Sequence, residues 1–380
     1  MGNPLSYDRF DPIVRMVEAE ENEEHRLSER EKKENTFHGE GLARLNRLLK
    51  EEHSFYTPRN TALEVFSKAH PQMHNGTINS VAWHKDGGVV ASAGEDGSII
   101  LWSRSGSKLY EIKNAHSGKH VMSLCWSTDG TKIASGGADN GLRVWDAQTM
   151  EEVIHIPKAH KSWVMSVAWS PHHDMLLSGS DDGFARVWDT KRWNLVHTLE
   201  GHQSSVTSVA WSPDEAGILA TASADGTASI WEIDESDSIK VTTLKQNSSI
   251  NAIDWSSDGQ VLATAAFDGN CVLWQKDDQP RLIHLAHEGG MSIRWINDRQ
   301  LVTMGVFDRA VKLWNVECDD YGGSMDLHKH LRTVHSRSLS LRPSSSKSKG
   351  GGRSGSQQEI LLGGVNGTGL VWTVDAPPSY

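Results

Sequence analysis

Histidine, a hydroxyl residue and aspartate, the side chains of a nucleophilic hydrolase, recur together four times in this chain. The sets are His74, Ser92 and Asp96; His116, Ser135 and Asp139; His160, Ser178 and Asp182; and His202, Thr221 and Asp225. In a hydrolase the histidine takes the hydroxyl proton while the carboxylate holds the imidazole in the right tautomer. One copy suffices for that chemistry. Here each set returns at a near-constant interval and is followed by a tryptophan, Trp102, Trp145, Trp188 or Trp231. Residues repeated at one period serve a repeated structural unit, so no catalytic residue is expected. Other chemistry is equally thin. Asp96-Gly97, Asp182-Gly183, Asp225-Gly226 and Asp268-Gly269 lack the spacing and distal glutamate of a calcium loop and read as tight turns. His328 and His330 flank Lys329 in a lone His-x-His, too little for a metal site. Glycine-rich phosphate loops are missing. Cys125, Cys271 and Cys318 are too few and scattered for a disulfide framework or metal cluster. No cofactor, metal or small-molecule substrate is expected.

The elements that carry these residues follow from two tryptophan ladders. Trp102, Trp145, Trp188, Trp231 and Trp274 fall 43 residues apart, and Trp314 and Trp372 continue the series. Trp83, Trp126, Trp169, Trp211, Trp255 and Trp295 precede the first six in step, in segments such as VTSVAWSPD. A period of about 40 to 45 residues with four short strands per unit marks a β-propeller, whose blades bury their faces only against their neighbours. The fourth unit shows the pattern. An alternating strand spans 206–211, Ser212-Pro213-Asp214 turns the chain, a small-residue strand spans 218–223, Asp225-Gly226 turns again, and strands follow over 227–233 and 240–244. Seven such units predict an all-β, seven-bladed propeller over 61–380.

These residues resemble the WD-repeat (WD40-type) family over about five-sixths of the chain. The Trp-Asp pair stands at Trp145-Asp146 and Trp188-Asp189 and drifts to Trp102-Ser103, Trp231-Glu232, Trp274-Gln275, Trp314-Asn315 and Trp372-Thr373. The resemblance implies a hydrogen-bonded tetrad of His, Ser or Thr, Asp and Trp in each of the first four repeats, made by the four sets above with their tryptophans. Later repeats depart from it. The fifth keeps Thr264, Asp268 and Trp274 but has Gln246 for histidine; the sixth keeps Thr303, Asp308 and Trp314 with His287 one position out of register. In the seventh, Leu362 and Asn366 replace the hydroxyl and the acid. Local looseness is therefore expected in repeats five to seven.

Outside the repeats the composition changes. Charged residues dominate Glu18 to Glu34, while Leu42, Leu45, Leu48 and Leu49 recur at helical spacing opposite Arg44, Arg47 and Lys50. Residues 1–60 are thus expected to be a charged, partly helical or disordered extension, its amphipathic helix either packed on the propeller or offered to a partner. Residues 61–68 have the alternation of an outer strand and are expected to close the last blade, which ends one strand short. Residues 343–358, rich in Ser, Gly and Lys, read as a flexible loop insertion between the first and second strands of the last repeat. On the family geometry that loop lies on the face opposite the tetrad histidines.

The formal net charge of −11 opposes generic binding to a phosphate backbone, so direct nucleic-acid binding is not expected. No apolar run approaches the roughly 20 residues of a membrane span, and no basic-then-apolar leader opens the chain, which points to cytoplasm or nucleus and no membrane partner. What remains is recognition of other proteins or peptide segments. In propellers like this one, the resemblance implies, the rim lined by the tight turns binds peptides. The residue before each turn aspartate faces that rim, here Glu95, Ala138, Asp181, Ala224, Phe267 and Phe307, with Val365 before Asn366. Phe267 and Phe307, extended by Trp163, form the candidate hot spot, and Glu95 and Asp181 stand opposite to select a basic side chain. The expected function is a non-catalytic interaction scaffold within a multiprotein complex, with the N-terminal extension contacting a second partner. Two alternatives stand beside it. LLSGSDDGFARVWDTK, from Leu176 to Lys191, resembles the box of substrate receptors of cullin-type ubiquitin ligases, with Trp188, Asp189 and Lys191 as the adaptor contact, although the stronger form ends in Arg. A subunit of an RNA-processing or chromatin assembly is the other.

Overall fold

The computed structural model describes residues 62–63, 73–234, 238–275, 281–283, 287, 289, 291–308, 310–316, 325–332, 336–342, 357–364, 367 and 369–375. Blade one runs outward from the central channel as Ile78–Trp83, Val89–Gly94, Ile99–Ser103 and Lys108–Ile112, each strand antiparallel to the next. Five further blades repeat this order over 121–156, 164–199, 206–245, 250–283 and 291–332.

Strand composition follows position in the blade. The second strand of each blade is covered on both faces by neighbouring blades and is built of small or branched apolar residues, as in VVASAG of blade one, where every residue is buried. The outermost strands, such as Lys108–Ile112, are half in water and carry charges. Tryptophans from the third strands reach across the interfaces: Trp145 of blade two packs with Val89, Ala91 and Leu101 of blade one, and Trp231 of blade four with Leu177 and Val187 of blade three. The approach is close enough that a Cβ at Gly179 in blade three would stand 2.7 Å from Val206 and Val209 of blade four.

The innermost strands share a further device. In blades one to five their register shifts after the first residue, a β-bulge that carries Asn79, Met122, Met165, Thr207 and Asn251 to the lining of a channel of about 540 Å³. Serines just after the bulge stitch blade to blade. Ser80 Oγ accepts the Leu124 N–H at 3.1 Å, Ser123 the Val167 N–H at 3.2 Å, Ser166 the Val209 N–H at 3.2 Å and Ser208 the Ile253 N–H at 3.3 Å. Blade five has Ala252 at this position. There Asp254 takes over, its Oδ2 accepting the Trp295 N–H at 2.7 Å.

The expectation of a seven-bladed propeller is corrected by this architecture, and the partly helical extension expected with it falls outside the described residues. Six blades are complete units of four consecutive strands. The last sheet is composite, in the order Ala62–Leu63, Gly369–Asp375, Gln357–Gly364, Ser336–Leu341, and its outer strand contributes only the pairs Ala62 with Trp372 and Leu63 with Val371. Counting tryptophans overstated the complete blades because the cadence stretches to 58 residues between Trp314 and Trp372, and the last sheet draws only three of its four strands from that repeat. No helix occurs among the described residues. The extension at 1–60, most of the 61–68 segment, the loop from 343 to 356 and the Val365-Asn366 pair lie outside them.

Candidate functional site

The recurrent Ser/His/Asp sets are brought together, and their geometry decides their chemistry. In blade two, His116 Nδ1 faces Asp139 Oδ1 at 2.7 Å, His116 Nε2 faces Ser135 Oγ at 2.8 Å, and Trp145 Nε1–H donates to the same Oγ at 2.9 Å. Blade one repeats this through His74, Asp96, Ser92 and Trp102, with Nε2 to Oγ at 2.7 Å and the indole at 2.8 Å. Blade three does so through His160, Asp182, Ser178 and Trp188, and blade four through His202, Asp225, Thr221 and Trp231. Each hydroxyl oxygen sits between an imidazole and an indole with no exposed surface. A substrate cannot reach it, so these sets join loop, strand and turn and do not act as nucleophiles.

Their ionisation fits that role. Burial pushes the imidazoles of His116, His160, His202 and His287 below the usual 6.5, against the pull of their aspartates. Burial alone would raise the Asp139 and Asp182 carboxyls, but hydrogen bonds from the His116 and His160 rings and from nearby backbone N–H groups hold both well below the usual range. A neutral imidazole thus donates Nδ1–H to a carboxylate and accepts the hydroxyl proton at Nε2.

The sixth blade is better formed than its sequence suggests. His287 Nδ1 faces Asp308 Oδ2 at 2.7 Å and Nε2 faces Thr303 Oγ1 at 2.8 Å, with Trp314 Nε1–H donating to Thr303 at 2.7 Å. The shifted histidine is compensated twice. This innermost strand, Met291–Trp295, lacks the bulge residue, and the turn between Thr303 and Asp308 is one residue longer than the others. Blade five keeps only the Trp274 bond to Thr264 Oγ1, at 2.8 Å.

On the rim, one backbone bond recurs. The N–H of the residue before the turn aspartate donates to the carbonyl just ahead of the innermost strand: Glu95 to Thr77, Ala138 to His120, Asp181 to Trp163, Ala224 to Ser205 and Phe267 to Ser249, at 2.8 to 3.0 Å. The bond sets two side chains per blade next to each other on the tetrad face. Phe267 and Phe307 are 52% and 59% exposed, and their rings meet edge to face with centroids 6.0 Å apart. The Phe307 ring lies over Gly289, where a Cβ would come within 2.7 Å of it.

Trp163, 45% exposed, is placed apart from that pair and leans on His120 at 6.4 Å between centroids. His120 is an exposed rim residue that the repeat pattern did not single out; its place directly before an innermost strand was the available signal. Glu95 and Asp181 are engaged by their own loops. Glu95 Oε2 accepts the Thr77 N–H at 3.2 Å, and Asp181 accepts the hydroxyls of Ser162, at 2.9 Å, and Ser205. In the adaptor-like stretch, Trp188 is buried in its tetrad and Asp189 Oδ1 caps the following turn, accepting the N–H of Lys191 at 2.6 Å and of Arg192 at 3.0 Å. Lys191 is exposed and paired with Asp174 at 2.6 Å.

Comparison with known proteins places this geometry in context. The family model described as IFT122 first beta-propeller matches residues 120–379, and that of the WD domain, G-beta repeat matches residues 66–103. No curated protein matches the chain. The crystal structure of RRP9 WD40 repeats is similar with a TM-score of 0.66 at 24% identity, over 79% of this chain and 94% of that one. The structure of U3-55K is similar with a TM-score of 0.64 at 22% identity, over 80% and 96%. At such identities the likeness is one of fold.

Proposed function

Since the chain belongs to the family described as the IFT122 first beta-propeller, a WD40-type propeller, we propose that it is a non-catalytic scaffold that docks a segment of a partner protein on its rim, over Phe267 and Phe307. The observation that carries this reading is the exposure of two touching phenylalanines at positions where the first four blades present alanine or an acid. Large aromatic side chains held in water on a rigid turn are the usual anchors of protein interfaces. Each ring is fixed by its turn before a partner arrives, so little side-chain freedom is lost on binding. WD40 propellers are in general interaction platforms, which agrees with this reading.

The test is photo-crosslinking. A benzophenone side chain at position 307 of the full chain should crosslink a discrete partner, and the same group at Asp214, on a turn at the opposite face, should not. Equal crosslinking from both positions would remove the rim from consideration.

A further inference from the structure

The fifth blade breaks the tetrad, and the break falls beside the aromatic pair. In blades one to four and six the turn aspartate lies 2.7 to 3.3 Å from its histidine Nδ1. Asp268 has no histidine, because Gln246 fills that position. Gln246 is 9% exposed, and its side-chain oxygen has no hydrogen bond among the described residues. Thr264, free of an imidazole, donates to the Val272 carbonyl at 3.2 Å. Asp268 itself is exposed, and its bonds are confined to its own turn: the Asn270 backbone N–H at 3.0 Å and side-chain amide at 2.8 Å. It directly follows Phe267, whose ring meets Phe307.

One stretch of rim therefore combines a carboxylate without a cation among the described residues, a buried acceptor without a donor, and two exposed rings. Carboxylates and ring faces both attract cations. A guanidinium suits this set better than an ammonium, being planar, weakly hydrated and rich in N–H donors. The acids at Glu95 and Asp181 are already engaged by their loops. Resting on the reading that this rim docks a partner segment, we propose that Asp268 with Phe267 and Phe307 receives an arginine side chain of that segment.

The experiment uses the full chain and two fluorescent hexapeptides, acetyl-(Gly-Arg)3 and the same peptide with citrulline, the neutral isostere, in place of arginine. Wild type should bind the arginine peptide at least about fivefold more tightly, since a charge-assisted pair contributes roughly that much or more. Asp268→Asn should abolish the preference with an unchanged thermal melt, whereas Asp214→Asn should keep it. A preference that survives Asp268→Asn, or that Asp214→Asn abolishes equally, overturns the arginine assignment and leaves the docking reading standing. If Phe267→Ala with Phe307→Ala leaves the binding of both peptides unchanged, the docking reading and this one fall together.

Discussion

Phe267 and Phe307 sit on neighbouring blades, yet their rings meet at 87° with more than half of each side chain in water. An edge-to-face pair is worth about 0.5 to 1.5 kcal/mol beyond its buried area, enough to hold two turns in a common orientation. It does not remove the rings from solvent. The pair is thus organised without being satisfied, which separates it from the tryptophans between the blades, whose rings are covered. The same contrast governs what substitutions should do.

Within a tetrad the hydroxyl is the shared partner. Ser135→Ala would leave the Trp145 indole N–H and the His116 Nε2 without partners in the core, at about 1 to 3 kcal/mol for each. Thr264→Val in blade five should cost about half as much, since only Trp274 depends on it. Urea melts of the two variants measure the difference, and equal losses would show that the imidazole contributes nothing.

Acid should weaken the fold in two stages. The imidazoles of His116, His160, His202 and His287 are held below 6.5 by burial, so the unfolded chain binds more protons than the folded one under mildly acidic conditions. Their contribution is complete above pH 6.5 and declines as pH falls below it. Asp139, Asp182 and Asp225, held below 3.8, add a second loss that begins under that value. Asp254, raised by burial, works in the opposite direction but is a single group. Urea midpoints at pH 7.5, 6.0 and 5.0 should fall in that order; a midpoint that rises on acidification would contradict the account.

Much of this was legible in the sequence because it repeats. Trp102 to Trp274 fix the period, and four tetrads stand at matching positions. Where the period slips, reading by position fails. His287 looked misplaced because neither the missing bulge in Met291–Trp295 nor the longer turn before Asp308 can be weighed separately in a linear pattern. The last repeat was counted as a seventh blade although the period is lost between Trp314 and Trp372, and its sheet takes its fourth strand from Ala62–Leu63, at the place where an outer strand was expected over 61–68. Rim side chains were harder still. Phe267 and Phe307 could be named from the turn, but whether they pointed inward, and whether Trp163 joined them, depends on distances across blades that sequence spacing does not encode.

Gly269 joins the two blades under the proposed site. Its φ is +87°, its carbonyl accepts the His287 N–H at 3.2 Å, and a Cβ there would collide with the His287 carbonyl oxygen. Gly269→Ala should therefore destabilise the chain by about 1 to 3 kcal/mol through backbone strain and loosen the turn that carries Phe267. Hydrogen exchange should show faster amides at 267–270 than in blade two. Uniformly faster exchange would mean the two blades open only with the whole ring.

The central claim is best tested by quantitative capture of bound proteins from cells, comparing wild type with a Phe267→Ala plus Phe307→Ala variant. Both side chains are more than half exposed, so the variant should lose about 0.5 to 1.5 kcal/mol with the ring contact and remain folded. A defined set of partners should be lost while the variant stays folded. Retention of every partner by a variant that folds normally would contradict the assignment of this rim as the docking site.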